Sequence, residues 1–201
     1  MSVSTGAEDQ RRRGPVVAQV GGWLAGVSSA LFAVAMVIGA MNPDREWGIV
    51  GGLFELRALV LVTLIAWVAG VLCFGVGWLM LPRRRPIALA AGVFWLILTV
   101  TALTGTLIGA MGGTVTWMLI LGLVVMLVCY AVTAVALKEL AGSEPGGPGV
   151  WGFAVAAAFM LLTVLAAYMQ MPLVFVVSIG FVWVGAAIGF IAGGIALTKP
   201  R

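Results

Sequence analysis

The sequence predicts an all-α membrane protein, a six-helix transmembrane bundle built as three in-out-in hairpins. Hydrophobic residues make up 63% of its 201 residues and charged residues only 9%, whereas soluble domains carry roughly 25% charged residues. The apolar residues fall into six runs, each long enough to cross a hydrocarbon core of ~30 Å as a helix. The basic residues cluster beside alternate ends of these runs, as expected of a chain that crosses the membrane repeatedly.

Turn-forming residues set the boundaries of the six predicted helices, as at Asn42-Pro43-Asp44 and in the loop AGSEPGGPG over 141–149. We expect the fifth and sixth helices to be separated only by Gln170-Met171-Pro172. Residues 1–15 are polar, and we expect a disordered cytoplasmic segment there. Residues 198–201 form a short cytoplasmic tail. The helices are predicted over residues 16–41, 58–81, 87–111, 115–137, 150–169 and 173–197.

Charge asymmetry predicts the orientation. Six crossings place both termini, the second loop and the fourth loop on one side, which then carries every basic residue except Arg45 and Arg57. Because positive residues stay on the cytoplasmic side, both termini are predicted to be cytoplasmic. The first run follows three arginines but is long enough to span and ends in no convincing cleavage site, so we expect a retained helix. The richness in Ala, Gly, Val and Arg indicates a prokaryotic cytoplasmic membrane.

Tryptophans near the predicted helix ends fit the aromatic belts found at membrane interfaces. The belt positions predicted at the inner ends are Trp23, Trp78 and Trp151, and those at the outer ends are Trp47 and Trp117. The remaining three lie deeper: Trp67, Trp95 and Trp183.

Several kinds of chemistry lack the residues that they need. The chain has no histidine, and Cys73 and Cys129 form neither a disulfide framework nor a CxxC pair, so we expect no metal and no cofactor. No sequence motif of a hydrolase, metalloprotease or nucleotide-binding enzyme occurs. The short basic clusters fit anionic lipid rather than nucleic acid. We therefore expect no enzyme, the remaining enzymatic alternative being a lipid-modifying activity at Asp44, Arg45 and Glu46.

Residues 42–57 are the only sizeable polar segment predicted on the outer side. Glu55 and Arg57 lie there at the lip of the second helix. One interpretation is a gate, or a proton- or cation-binding point, at the mouth of the bundle. The other is that Arg57 extends to the interface and Glu55 pairs with it or with solvent.

The third predicted helix concentrates hydroxyl groups at Thr99, Thr101, Thr104 and Thr106. Thr101 and Thr104, together with Glu55, are the candidate lining of a solute path. Threonines in transmembrane helices also satisfy a carbonyl one turn back on their own helix, which requires no path.

Small residues recur at four-residue spacing on three helices and predict close helix contacts. Two interpretations remain open: an interface between copies of the chain, or packing inside the bundle. The candidate packing residues are Gly105 and Gly109 on the third helix, Gly185, Gly189 and Gly193 on the sixth, and Gly22 and Gly26 on the first.

The leading functional hypothesis is a non-enzymatic integral membrane protein, a structural, assembly or stress-associated component surrounded by lipid. Its partner would be another membrane protein or a second copy. In layout alone the chain is similar to the HdeD-like acid-stress proteins, which also place six helices in three hairpins with cytoplasmic termini. The alternative is a small transporter, channel or membrane-embedded substrate-binding subunit for a neutral or hydrophobic solute.

Overall fold

The computed structural model describes residues 4–40, 57–81, 86–110, 116–141 and 147–198. Six α-helices make up nearly all of these residues, and each contains a stretch long and apolar enough to cross a membrane. In chain order they are α1 (Ser4–Ala40), α2 (Arg57–Leu79), α3 (Pro86–Ala110), α4 (Thr116–Ala141), α5 (Pro148–Tyr168) and α6 (Pro172–Thr198).

The first helix begins earlier than predicted. α1 starts at Ser4, within the segment for which we expect disorder, and Pro15 lies inside the helix. Glu8 and Asp9 stand four residues before Arg12 and Arg13, the spacing and order at which acidic and basic side chains stabilise a helix. The stretch of α1 that is apolar enough to cross a membrane runs from Arg13 to Val37, so the earlier part extends the helix beyond it.

The helices form a closed ring in chain order. Each packs against the next, and α1 packs against α6. Neighbouring helices run antiparallel where their contacts show the direction: Gly14 of α1 lies against Met80, whereas Ala25, further along α1, lies against Gly70 of α2. We call the end of the ring that contains Gly14 and Met80 the Met80 end, and the opposite end, at the α5–α6 turn, the Gln170 end.

Glycines allow three of the helix contacts to be very close. A Cβ atom on Gly152 of α5 would lie against the backbone nitrogen of Gly189 and 2.7 Å from its Cα. On α1, a Cβ on Gly21 would lie 2.7 Å from the Gly70 carbonyl oxygen, and one on Gly22 would lie 2.5 Å from the Phe190 carbonyl oxygen. The α5–α6, α1–α2 and α1–α6 pairs therefore pack backbone against backbone, as small residues permit in membranes.

Five aromatic side chains fill the ring toward the Met80 end. We call them the aromatic core: Phe74, Trp95, Tyr130, Phe153 and Phe190, one from each of α2 to α6. All five are fully buried, and eight pairs of these rings have centroids 5.0–6.1 Å apart. Trp95 contacts the other four rings, so the ring of helices closes around a packed centre rather than around an open channel at this level.

The α5–α6 turn is a Schellman motif. The Met171 backbone N–H donates to the Ala166 carbonyl at 2.9 Å, and the Gln170 N–H donates to the Ala167 carbonyl at 3.3 Å. These are the two hydrogen bonds that define the motif. Gln170 takes the left-handed conformation with φ 55°, and Pro172 then starts α6. The few residues between two long apolar helices are thus enough to reverse the chain.

Replacing Gln170 with glycine is expected to stabilise the protein by about 1 kcal/mol, because a left-handed backbone strains every residue that carries a Cβ. Unfolding in mixed micelles with increasing denaturing detergent measures the change. Gln170→Ala keeps the Cβ and is the control, for which we expect no gain. Equal stabilisation by both variants would contradict this account of the turn.

Candidate functional site

The predicted outer lip lies mostly outside the described part of the chain. Glu55 is outside the described residues. Arg57 is the first residue of α2, and its side chain is outside them too. A gate or ion-binding point at these two residues therefore stays a prediction.

Three threonines of α3 use their hydroxyl groups within their own helix, and the side chain of the fourth, Thr106, lies outside the described residues. Thr101 donates to the Ile97 carbonyl at 2.9 Å, and Thr104 donates to the Val100 carbonyl at 2.8 Å. Thr99 does the same toward Trp95, at 2.9 Å. In this arrangement each hydroxyl proton is already engaged, so these groups contribute no free donor to a solute path.

Removing the hydroxyl groups of Thr101 and Thr104 is expected to change stability by less than about 0.5 kcal/mol, because each carbonyl that accepts from them already lies in a helical backbone ladder. The double substitution to valine tests this, with unfolding in mixed micelles as the measurement. The same variant tests transport, since a path lined by these hydroxyls would lose its solute flux when they become methyl groups.

The three candidate packing glycines of α6 lie against its neighbour α5. A Cβ on Gly185 would lie 2.8 Å from the Ala156 nitrogen, and one on Gly189 would lie 2.8 Å from the Phe153 ring. Gly193 is near the same ring and near Leu137 of α4. Contacts within the chain therefore occupy these positions. Gly105 and Gly109 belong to α3, but what they pack against is outside the described residues.

The two cysteines are both free. Cys129 is buried and its Sγ donates to the Phe94 carbonyl of α3 at 3.3 Å, while Cys73 is half-buried on α2. Across the described helices, no group of three or more His, Cys, Asp or Glu side chains is placed to hold a metal ion.

Two hydrogen-bonded links between helices were not singled out from the sequence. Trp95 Nε1 of α3 donates to Thr133 Oγ1 of α4 at 2.8 Å, and this hydroxyl donates in turn to the Cys129 carbonyl at 2.7 Å. Between α5 and α6, the hydroxyl groups of Thr163 and Ser178 are 2.9 Å apart. Polar residues in long apolar runs were the available signal, but their partners depend on which helices become neighbours.

Four further buried donors have no hydrogen-bond partner among the described residues: Trp67 Nε1, Trp78 Nε1, Trp183 Nε1 and the Tyr130 hydroxyl. Trp67 is only 3% exposed. Its ring meets that of Trp183 edge to face, with centroids 5.7 Å apart and an interplanar angle of 82°. Phe32 of α1 covers the Trp183 ring at 4.9 Å. Buried polar groups without a partner are rare and call for an explanation.

The comparisons with known proteins add no relative. The chain matches no protein-family model, and the searches of curated proteins and of solved structures find no significant match.

Proposed function

We propose that this protein is a non-enzymatic component of a prokaryotic cytoplasmic membrane that acts by associating with another membrane protein, in a structural, assembly or stress-associated role. The observation that carries the proposal is the aromatic core, which occupies the centre of the closed ring. Because the centre is packed, the outer faces of the helices are the surface available to another membrane protein.

Photo-crosslinking in intact cells tests this function. A photoreactive residue is placed singly at outward-facing positions, namely Val27 on α1, Val100 on α3 and Leu162 on α5, which are 41–62% exposed. Val71, fully buried on α2, is the control position. We expect a discrete protein adduct from at least one outward position and none from Val71. Adducts with lipid alone at all three outward positions would overturn the proposal.

For the topology we propose three in-out-in hairpins with the Met80 end in the cytoplasm. The antiparallel neighbours described above support this arrangement. So does the position of Arg13, which lies beside Gly14 at that end, because basic residues favour the cytoplasmic side.

Cysteine labelling of intact cells tests the topology. In a background of Cys73→Ala and Cys129→Ala, a cysteine at position 84 should resist an impermeant maleimide until the cells are opened, whereas one at position 44 should react at once. Labelling at position 84 in intact cells would reverse the proposed orientation.

A second candidate function is binding or transport of a neutral or hydrophobic solute. The unpartnered indole donors inside the ring favour it. A path through the whole ring would require the aromatic core to separate, so binding near the Gln170 end is the more direct consequence of these donors.

A further inference from the structure

On the inward faces of both α2 and α6, a tryptophan precedes the phenylalanine that belongs to the aromatic core. Trp67 precedes Phe74, and Trp183 precedes Phe190, by about two helical turns. Residues at that spacing lie on one helix face, so the two tryptophans stand inside the ring above the aromatic core, on the side of the Gln170 end. Phe32 of α1 completes this group. We call Trp67 and Trp183 the tryptophan pair, and Phe32 its cover.

The indole donors of the pair differ from that of Trp95. Trp95 Nε1 has an acceptor from the neighbouring helix, at 2.8 Å, whereas no described residue accepts from Trp67 or Trp183. A buried donor without an acceptor loses its hydration and gains nothing in return. In a membrane protein, water is excluded from the surroundings as well.

A weak N–H···π contact offers only part of an explanation. In an edge-to-face pair, one ring directs its edge at the face of the other, so such a contact satisfies at most one of the two indoles. At least one of the two donors therefore has no acceptor within the pair.

We propose that the tryptophan pair binds a planar, apolar molecule that carries carbonyl oxygens, such as a quinone ring. The carbonyl oxygens would accept from the two indole N–H groups, which lie at the ring edges, and the flat face of Phe32 would stack on the ligand ring. Both indole nitrogens are enclosed in this structure, so Phe32, which is only partly buried, must turn aside for the ligand to enter. This inference goes beyond the proposed scaffold function and does not depend on it.

The test uses the purified full chain in detergent, with tryptophans labelled by ¹⁵N, and follows the eight indole N–H signals by NMR. The probe is 2,3-dimethyl-1,4-naphthoquinone, whose blocked ring does not add to thiols. Its matched control is 2,3-dimethylnaphthalene, which has the same ring without carbonyl oxygens. Methyl decanoate supplies a carbonyl oxygen on an aliphatic chain. Spectra of Trp67→Phe and Trp183→Phe assign the two signals.

We expect the quinone to shift both signals saturably, and its Kd to rise about tenfold in each phenylalanine variant, the loss that corresponds to one hydrogen bond. Trp23→Phe, at a site 46% exposed on the outer face, should leave the Kd unchanged. The proposal is overturned by an absence of saturable shifts in the wild-type protein, by equal affinity for the hydrocarbon, or by tighter binding of methyl decanoate. If a variant fails to fold, the spectra of the wild-type protein with the three compounds still test the proposal.

Discussion

Replacing Gly152 with alanine is expected to destabilise the folded protein by about 3 kcal/mol, the upper part of the usual range for overpacking. The new Cβ would meet the Gly189 nitrogen, lie 2.7 Å from the Gly189 Cα and lie 2.8 Å from the Gly185 carbonyl oxygen. All three are backbone atoms, so no side chain can rotate away. The α5 and α6 helices would have to separate along their closest contact.

Gly122→Ala is the matched control for this prediction. Gly122 also lies within an apolar helix, but nothing is within 4 Å of the position of its Cβ. Alanine is favoured over glycine in a helix by up to ~1 kcal/mol, so this variant should be as stable as the wild type or slightly more so. Unfolding in mixed micelles compares the two. Equal destabilisation by both substitutions would show that close packing at Gly152 is not the cause.

Composition was sufficient to predict six apolar helices, because the need to satisfy backbone hydrogen bonds in lipid leaves few other structures. The closed ring was not predictable in the same way. Inside a membrane the outward face of a helix is as apolar as the inward face, so the sequence of α3 or α6 carries little information about which face is buried. The spacing of small residues, as at Gly185, Gly189 and Gly193, was the better signal for close contacts.

The position of a tryptophan near a helix end was not enough to predict whether its side chain is exposed. Trp78 was expected in an interfacial belt because it is near a helix end, but it is 1% exposed, against 66% for Trp151. Its ring packs edge-on against Phe74 at 6.1 Å. Depth in the membrane can be estimated from distance to the loops, whereas the direction in which a side chain points depends on the neighbouring helices.

The candidate binding residues could not be predicted from the sequence for a related reason. Trp67 and Trp183 are far apart along the chain and become neighbours only because the ring closes between α1 and α6. Whether a given indole has an acceptor is then decided by single residues on the adjacent helix, such as Thr133 beside Trp95. No composition or spacing rule distinguishes a satisfied tryptophan from an unsatisfied one.

Replacing Trp95 with alanine is expected to cost about 3–5 kcal/mol of stability, the range for deleting a large buried aromatic side chain. Trp95 contacts the four other rings of the aromatic core. Because apolar side chains in lipid gain no hydrophobic stabilisation from burial, the lost stability comes from lost packing contacts. Trp151→Ala, at an outward-facing site, should cost less than about 0.5 kcal/mol. The two variants are compared by unfolding in mixed micelles.

An intermediate variant separates packing from hydrogen bonding at the same position. Trp95→Phe keeps most of the ring contacts but loses the donor to Thr133, whose hydroxyl still donates to the Cys129 carbonyl. We expect it to cost about 1 kcal/mol, because hydrogen bonds between membrane helices contribute modestly. A loss as large as that of Trp95→Ala would show that the hydrogen bond, rather than the ring packing, accounts for the stability that Trp95 contributes. A negligible loss for Trp95→Ala would mean that the five rings are not what holds the ring of helices together.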